Sequence, residues 1–212
     1  MRLSQLGPDY HVVIDKPLWL HREGCAALNI FHGDVRLFSV AFALDKQRDS
    51  LVAVIGGIQG RNLPGIQDEY HAMTKAAFGV RPRDLSIVTF KAFCRAIGVD
   101  SIQAVADDCR HHRSPFFGNK SEKLQRSINY DEAWLDRGGT RHGEFFLIPV
   151  KRTDRADEEI PARKRALYRK RYAMLDEIEA DMIRGVRRAR IAPQEVSDGR
   201  TPAPKVAPRT DG

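Results

Sequence analysis

The sequence predicts an α/β protein of the α+β kind: a mixed, largely antiparallel sheet with helices packed on it, and a long C-terminal amphipathic helix. Three observations carry this expectation. Residues 27–58 hold three apolar runs of strand length separated by short polar turns. Residues 67–97 switch to apolar spacings of three and four, the period of a helix. Residues 101–106 return to strand character, and a strand, helix, strand order requires a crossover and some parallel pairing.

Each element has its own warrant. His11-Val-Val-Ile14 reads as an edge strand that ends at Asp15-Lys16-Pro17. Ala27-Leu-Asn-Ile-Phe31 runs to a turn at His32-Gly33-Asp34. In residues 37–44 Phe38, Val40, Phe42 and Leu44 are large on one face, with Ser39, Ala41 and Ala43 small on the other. Polar residues 45–50 turn the chain into residues 51–58, which are apolar on both faces as a central strand is. Tyr70, Met73, Thr74, Ala77 and Phe78 mark a helix that Gly79 stops. Pro82 suits the first turn of the next helix and Asp84 its positive dipole end, and Gly98 closes it. Residues 109–144 have no strong period and read as a long loop crossing the sheet edge. Residues 143–150 supply a last strand. From Pro161 a long helix carries Leu167, Arg171, Met174, Ile178, Met182 and Val186 on one stripe.

Beyond Pro193 the chain is rich in Pro, Thr, Ser and Gly, so residues 191–212 are expected to be a disordered tail and residues 1–190 one domain. No window approaches the ~20 apolar residues of a membrane span. Residues 1–10 show no signal-peptide core, and a cytoplasmic protein is expected. Cys25, Cys94 and Cys109 are odd in number and lack C-x-x-C spacing, which argues against disulfides and zinc; no metal is expected. The net charge of +7 would suit an acidic partner. Its excess is local, however, with 13 Lys/Arg against 8 Asp/Glu in residues 151–190. Weak peripheral contact with anionic lipid is therefore the expectation, and no specific nucleic-acid partner.

Candidate binding residues gather at element ends. Gln59, Gly60 and Asn62 close the apolar strand; Gln59 and Asn62 could hydrogen-bond a ligand where Gly60 lets it approach, or simply form a turn. Arg81 and Arg83 flank a helix start, where amides and dipole favour a phosphate or carboxylate; the bland alternative is a solvated connector. Asp107, with His111 and His112 behind it, could form an acid–base pair at a strand exit. Asp131 is a second acidic candidate or a helix cap, and Trp134 is a core residue.

Three stretches in order resemble the VirK/YbjX family of bacterial proteins of unknown function. They are Ile55-Gly-Gly-Ile-Gln-Gly60, Met73-Thr-Lys-Ala-Ala-Phe-Gly-Val-Arg-Pro-Arg83 and Ile160-Pro-Ala-Arg-Lys-Arg-Ala-Leu-Tyr-Arg-Lys-Arg-Tyr172. Tyr130-Asp-Glu-Ala-Trp134 and residues 144–149 precede the third. The resemblance implies a helical segment before the first strand, so the chain is expected to be a variant shortened at the N-terminus, or one that obtains this part from a partner chain. The layout also resembles the GCN5-related acyltransferase fold, an analogy of fold. It implies transfer of an acyl group from a coenzyme A or carrier-protein thioester to an amine or hydroxyl of a small molecule or peptide. Arg81 and Arg83 would hold the phosphate end, and Asp107 with His111 or His112 would supply acid–base help. The alternative is a non-catalytic accessory protein at the inner membrane face, tied to envelope stress or virulence.

Overall fold

The computed structural model describes residues 2–6, 9–16, 18–110, 113 and 128–191. Eight strands form one sheet: β1 (Arg2–Gln5), β2 (Tyr10–Asp15), β3 (Ala26–His32), β4 (Val35–Gln47), β5 (Ser50–Gly60), β6 (Ser101–Val105), β7 (Thr140–His142) and β8 (Phe145–Ile148). Their spatial order is β1-β2-β3-β4-β5-β6-β8-β7. Among the described residues only β5 and β6 are parallel neighbours, and the other pairs are antiparallel. The described residues also form four α-helices: α1 (Ile66–Ala76), α2 (Pro82–Ile97), α3 (Tyr130–Leu135) and α4 (Ala162–Ile191). The mixed, largely antiparallel sheet and the long last helix are those the sequence predicts.

The crossover from β5 to β6 is made by α1 and α2. Its helix ends follow from backbone chemistry: Pro82 opens α2, and Gly79 and Gly98 take the left-handed conformation that only glycine adopts without strain. Phe42 of β4 meets Phe90 and Phe93 of α2 with ring centroids 5.0 and 5.6 Å apart, in tilted geometry. This is the centre of the larger core. A second cluster joins Leu37 of β4 to Met73, Leu85, Leu175 and Ile178 beneath α1, α2 and α4. The opposite face of the sheet is thinly covered; there Leu20, from the short 3-10 turn Leu18–Leu20, rests on Ala27 and Ala41.

Four expectations are corrected. His11 is not on an edge strand, because β1 pairs outside β2, and Leu3 is fully buried there. The chain does not turn at Asp45: β4 and β5 stay paired to Gln47 and Ser50, and the turn is Arg48–Asp49, with Arg48 at a φ of 54°. Ladder hydrogen bonds continue there without core burial. Residues 109–144 are not simply a loop, since they contain α3 and β7; Trp134 of α3 is fully buried and donates from Nε1 to the Val105 carbonyl at 2.9 Å. The buried stripe of α4 runs through Leu175, Ile178, Met182 and Val186, whereas Leu167 is exposed. The expected tail from Pro193 lies outside the described residues.

Candidate functional site

The parallel pair sets the geometry. Val52–Ile55 of β5 lies beside residues 101–104 of β6, after which β6 stops at Val105 while β5 continues to Gly60. Tyr130, the first residue of α3, fills part of the opening. Its hydroxyl accepts from the Ile58 N–H at 2.7 Å and donates to the Ile58 carbonyl at 2.9 Å, the groups a longer β6 would have paired. Burial pushes the Tyr130 phenol above its usual pKa, so it stays neutral.

Two glycines shape the wall. A Cβ on Gly56 would stand 2.0 Å from the Glu23 carbonyl oxygen, and one on Gly57 would stand 2.9 Å from Glu23 Cγ. Glycine inside a strand therefore marks a close crossing of the chain here. The result is a cavity of about 140 Å³ bounded by Trp19, Glu23, Gln59, Arg110 and Tyr130. Gln59 stands opposite Ser39 across the β4–β5 ladder. Beside it runs a buried polar chain in which Arg36 donates to Ser39, Ser39 to Asn29, and Asn29 to Asp15. The Arg36 guanidinium also lies over the Trp19 ring at 4.9 Å.

Asp107 reaches the same end of the sheet, but its oxygens are committed. Oδ1 accepts from Arg110 Nη1 and from the Tyr130 N–H, each at 3.1 Å, and Oδ2 pairs with Arg113. The Asp107 N–H in turn donates to Asp131 at 2.7 Å. Arg110 lies 3.8 Å over the Tyr130 ring, so this network fixes α3 against the end of β6. Arg141 bridges Asp131 and Asp108, and its hydrogen bonds hold the Asp108 carboxyl below the usual range.

The other expected residues are dispersed. Gly60 is required by Tyr70, whose hydroxyl would lie 2.6 Å from a Cβ there. Asn62 is exposed just after β5. Arg81 is exposed at the N-cap of α2, and Arg83 bonds Asp84 at 3.0 Å. Neither arginine borders the strand-end cavity. His111 and His112 lie outside the described residues. Glu23, Arg110 and Tyr130 were not singled out as site residues by sequence reasoning; the Gly56-Gly57 pair inside a strand is the signal that could have found Glu23. Among the described residues no group of three His, Cys, Asp or Glu could hold a metal ion. No helix of the described residues is long and apolar enough to cross a membrane.

Comparison with known proteins places this geometry in a family. An uncharacterized protein of Haemophilus influenzae is 27% identical over 178 residues, which is 84% of this chain and 58% of that protein. The uncharacterized protein YbjX of Escherichia coli K12 is 27% identical over 178 residues, 83% of this chain and 53% of YbjX. The chain thus spans a little over half the length of these curated relatives. No solved structure matches it. Residues 1–184 match the family described as "Protein of unknown function (DUF535)". The chain therefore belongs to that family, the one its VirK/YbjX-like motifs indicate.

Proposed function

We propose that the protein transfers an acyl group from a coenzyme A or carrier-protein thioester to an amine or hydroxyl at the opening between β5 and β6. The observation that carries the reading is the parting of the one parallel strand pair after four paired residues. Beyond Val105 the β5 edge has no strand neighbour, and the main chain of an extended arm would replace the Tyr130 hydroxyl on the Ile58 N–H and carbonyl. The cavity of about 140 Å³ at its end is smaller than a whole-ligand pocket, and suits only the reacting end of such an arm.

The Glu23 carboxylate in that cavity takes the proton from the attacking amine or hydroxyl. The acceptor atom bonds the thioester carbon, the carbon–sulfur bond breaks, and the departing thiolate takes a proton from solvent. Asp107 is reassigned from base to positioning residue, because its donors are structural. Arg81 is the exposed cation for the phosphate end, whereas Arg83 already has a carboxylate partner.

Calorimetric titration with acetyl-coenzyme A, coupled to a thiol-release assay with polyamine acceptors, tests this. Arg81→Ala should weaken binding roughly ten- to a hundredfold, the worth of one charge-assisted contact. Glu23→Gln should keep binding and lose turnover. If the folded protein neither binds acetyl-coenzyme A nor releases thiol, the reading fails. An accessory role at a membrane surface keeps support from the first turns of α4, where Arg163, Lys164, Arg169 and Lys170 are exposed. Binding to anionic vesicles with no thioester binding would favour it.

A further inference from the structure

Away from the strand ends, a cleft of about 530 Å³ lies between parts of α2 and α4, bordered also by residues 136–138, 149 and 152–155. Residues 84, 88, 91 and 95 line it from one stripe of α2, and residues 168, 171, 172 and 175 from one stripe of α4. Val88, Leu175 and the rings of Tyr168 and Tyr172 give it apolar surface. Six cations and three carboxylates border it, and two further carboxylates, Glu179 and Asp176, hold Arg95 and Arg152 from outside the lining.

Most of those cations are already held. Arg95 makes two hydrogen bonds to Glu179, at 2.6 and 2.7 Å, and a third to the Val150 carbonyl. Arg137 pairs with Asp84. Arg171 donates twice to the Phe78 carbonyl and lies 4.2 Å over the Tyr168 ring. Arg152 holds Asp154 and Asp176, yet its Nη1 is buried with no acceptor. Lys91 is different. It is 7% exposed, borders the cleft, and has neither a hydrogen bond nor an ion pair among the described residues.

An ammonium without a counter-charge inside a protein is costly, and the cost grows beside other cations. Burial, then Arg95 and Arg137, push the Lys91 amine down to about 8. Nothing in the packing of α2 needs a charge there, since the neighbouring Phe90, Ala92 and Phe93 are apolar core. Lys91 and Arg152, each with a donor unmet among the described residues, both line one cavity large enough for a small molecule.

We propose that this cleft binds a small molecule with a phosphate monoester at one end and an apolar or aromatic body, the phosphate being received by Lys91 and Arg152. Two cationic donors, the Lys91 ammonium and the Arg152 guanidinium, match a dianion better than a single carboxylate. The tyrosines and Val88 take the body of the ligand. The site is independent of the strand-end reading, and either can stand without the other.

The test is calorimetric titration of the full chain at pH 7 with inorganic phosphate, phenyl phosphate and benzoate, repeated on Lys91→Met and Lys91→Arg. Phenyl phosphate should bind at least tenfold tighter than inorganic phosphate, and benzoate weakest. Lys91→Met should lose tenfold or more in phenyl phosphate affinity, with Lys91→Arg recovering part of it. Wild-type affinity should fall as pH rises past about 8, where Lys91 loses its proton. The titratable groups that line the cleft with Lys91 are Asp84 and Arg95 on α2, Asp136 and Arg137 after α3, Arg152, Asp154 and Arg155 before α4, and Tyr168, Arg171 and Tyr172 on α4, with the Cys94 thiol close by on α2. Lys91→Met should abolish that pH dependence, which separates Lys91 from the tyrosines. Equal affinity of folded wild type and Lys91→Met overturns the proposal, as does the absence of phenyl phosphate binding. Tighter binding of benzoate would move the site to carboxylates and also reject it as stated.

Discussion

The exit of β6 and the cleft beside α2 treat charge in opposite ways. At the exit, Asp107 is met by Arg110, Arg113 and the Tyr130 N–H, and each neighbouring carboxylate has an arginine. In the cleft, Lys91 is buried at least as deeply, and no carboxylate among the described residues meets it. Clustered charge at a strand end is thus a poor guide to chemistry when the cluster can satisfy itself. A solitary charge on an apolar helix is the better guide, because folding alone gives no reason to keep it.

The two regions should therefore respond oppositely to losing their charge. Asp107→Ala removes the carboxylate shared by Arg110, Arg113 and the Tyr130 N–H, and should destabilise by about 2–4 kcal/mol, read as an earlier urea midpoint. An unchanged midpoint would mean that the network contributes nothing and would return Asp107 to the list of free bases. Lys91→Met should do the reverse, raising ligand-free stability by about 1–3 kcal/mol at pH 7.

The pH dependence sharpens the same contrast. The Lys91 amine falls from 10.5 to about 8 on folding, so between those values the folded chain holds fewer protons than the unfolded one. The penalty is present below about 8 and is relieved as pH rises toward 10.5, so wild-type stability should gain in that window relative to Lys91→Met. A parallel pair of stability curves would place a counter-charge near Lys91. The smallest effect is expected at Arg141→Ala, an essentially unchanged urea midpoint, because Arg141 and its Asp108 partner are exposed. A larger loss would make Arg141 part of the Asp107 network in energy as well as in geometry.

What the sequence disclosed follows from the range over which each signal acts. β3, β4 and β5 are legible because their apolar residues are neighbours in the chain. β1 is not, since Arg2-Leu-Ser-Gln5 has one apolar residue and takes its place from β2 and α4. α3 has six residues, too few to display a helical period, and β7 is exposed at every position. At the candidate site Gln59 and Asp107 are visible as polar residues ending apolar strands. The Tyr130 contact is not, because it joins residues 72 apart. Lys91 sits on a readable stripe of α2, but its lack of a partner becomes apparent only once α4 is in place.

Gly185 of α4 carries a consequence for synthesis. A Cβ there would stand 2.1 Å from the Leu3 carbonyl oxygen, so helix and edge strand touch backbone to backbone. The strand leaves the ribosome about 180 residues before the helix that covers it, a delay of roughly 10–40 s at typical elongation rates. Throughout that interval β1 is an unsheltered edge able to pair with another nascent chain. A ribosome stalled before α4 should therefore hold a chain that trigger-type chaperones protect and that proteases clip first at β1, with protection arriving abruptly as residue 185 clears the exit tunnel.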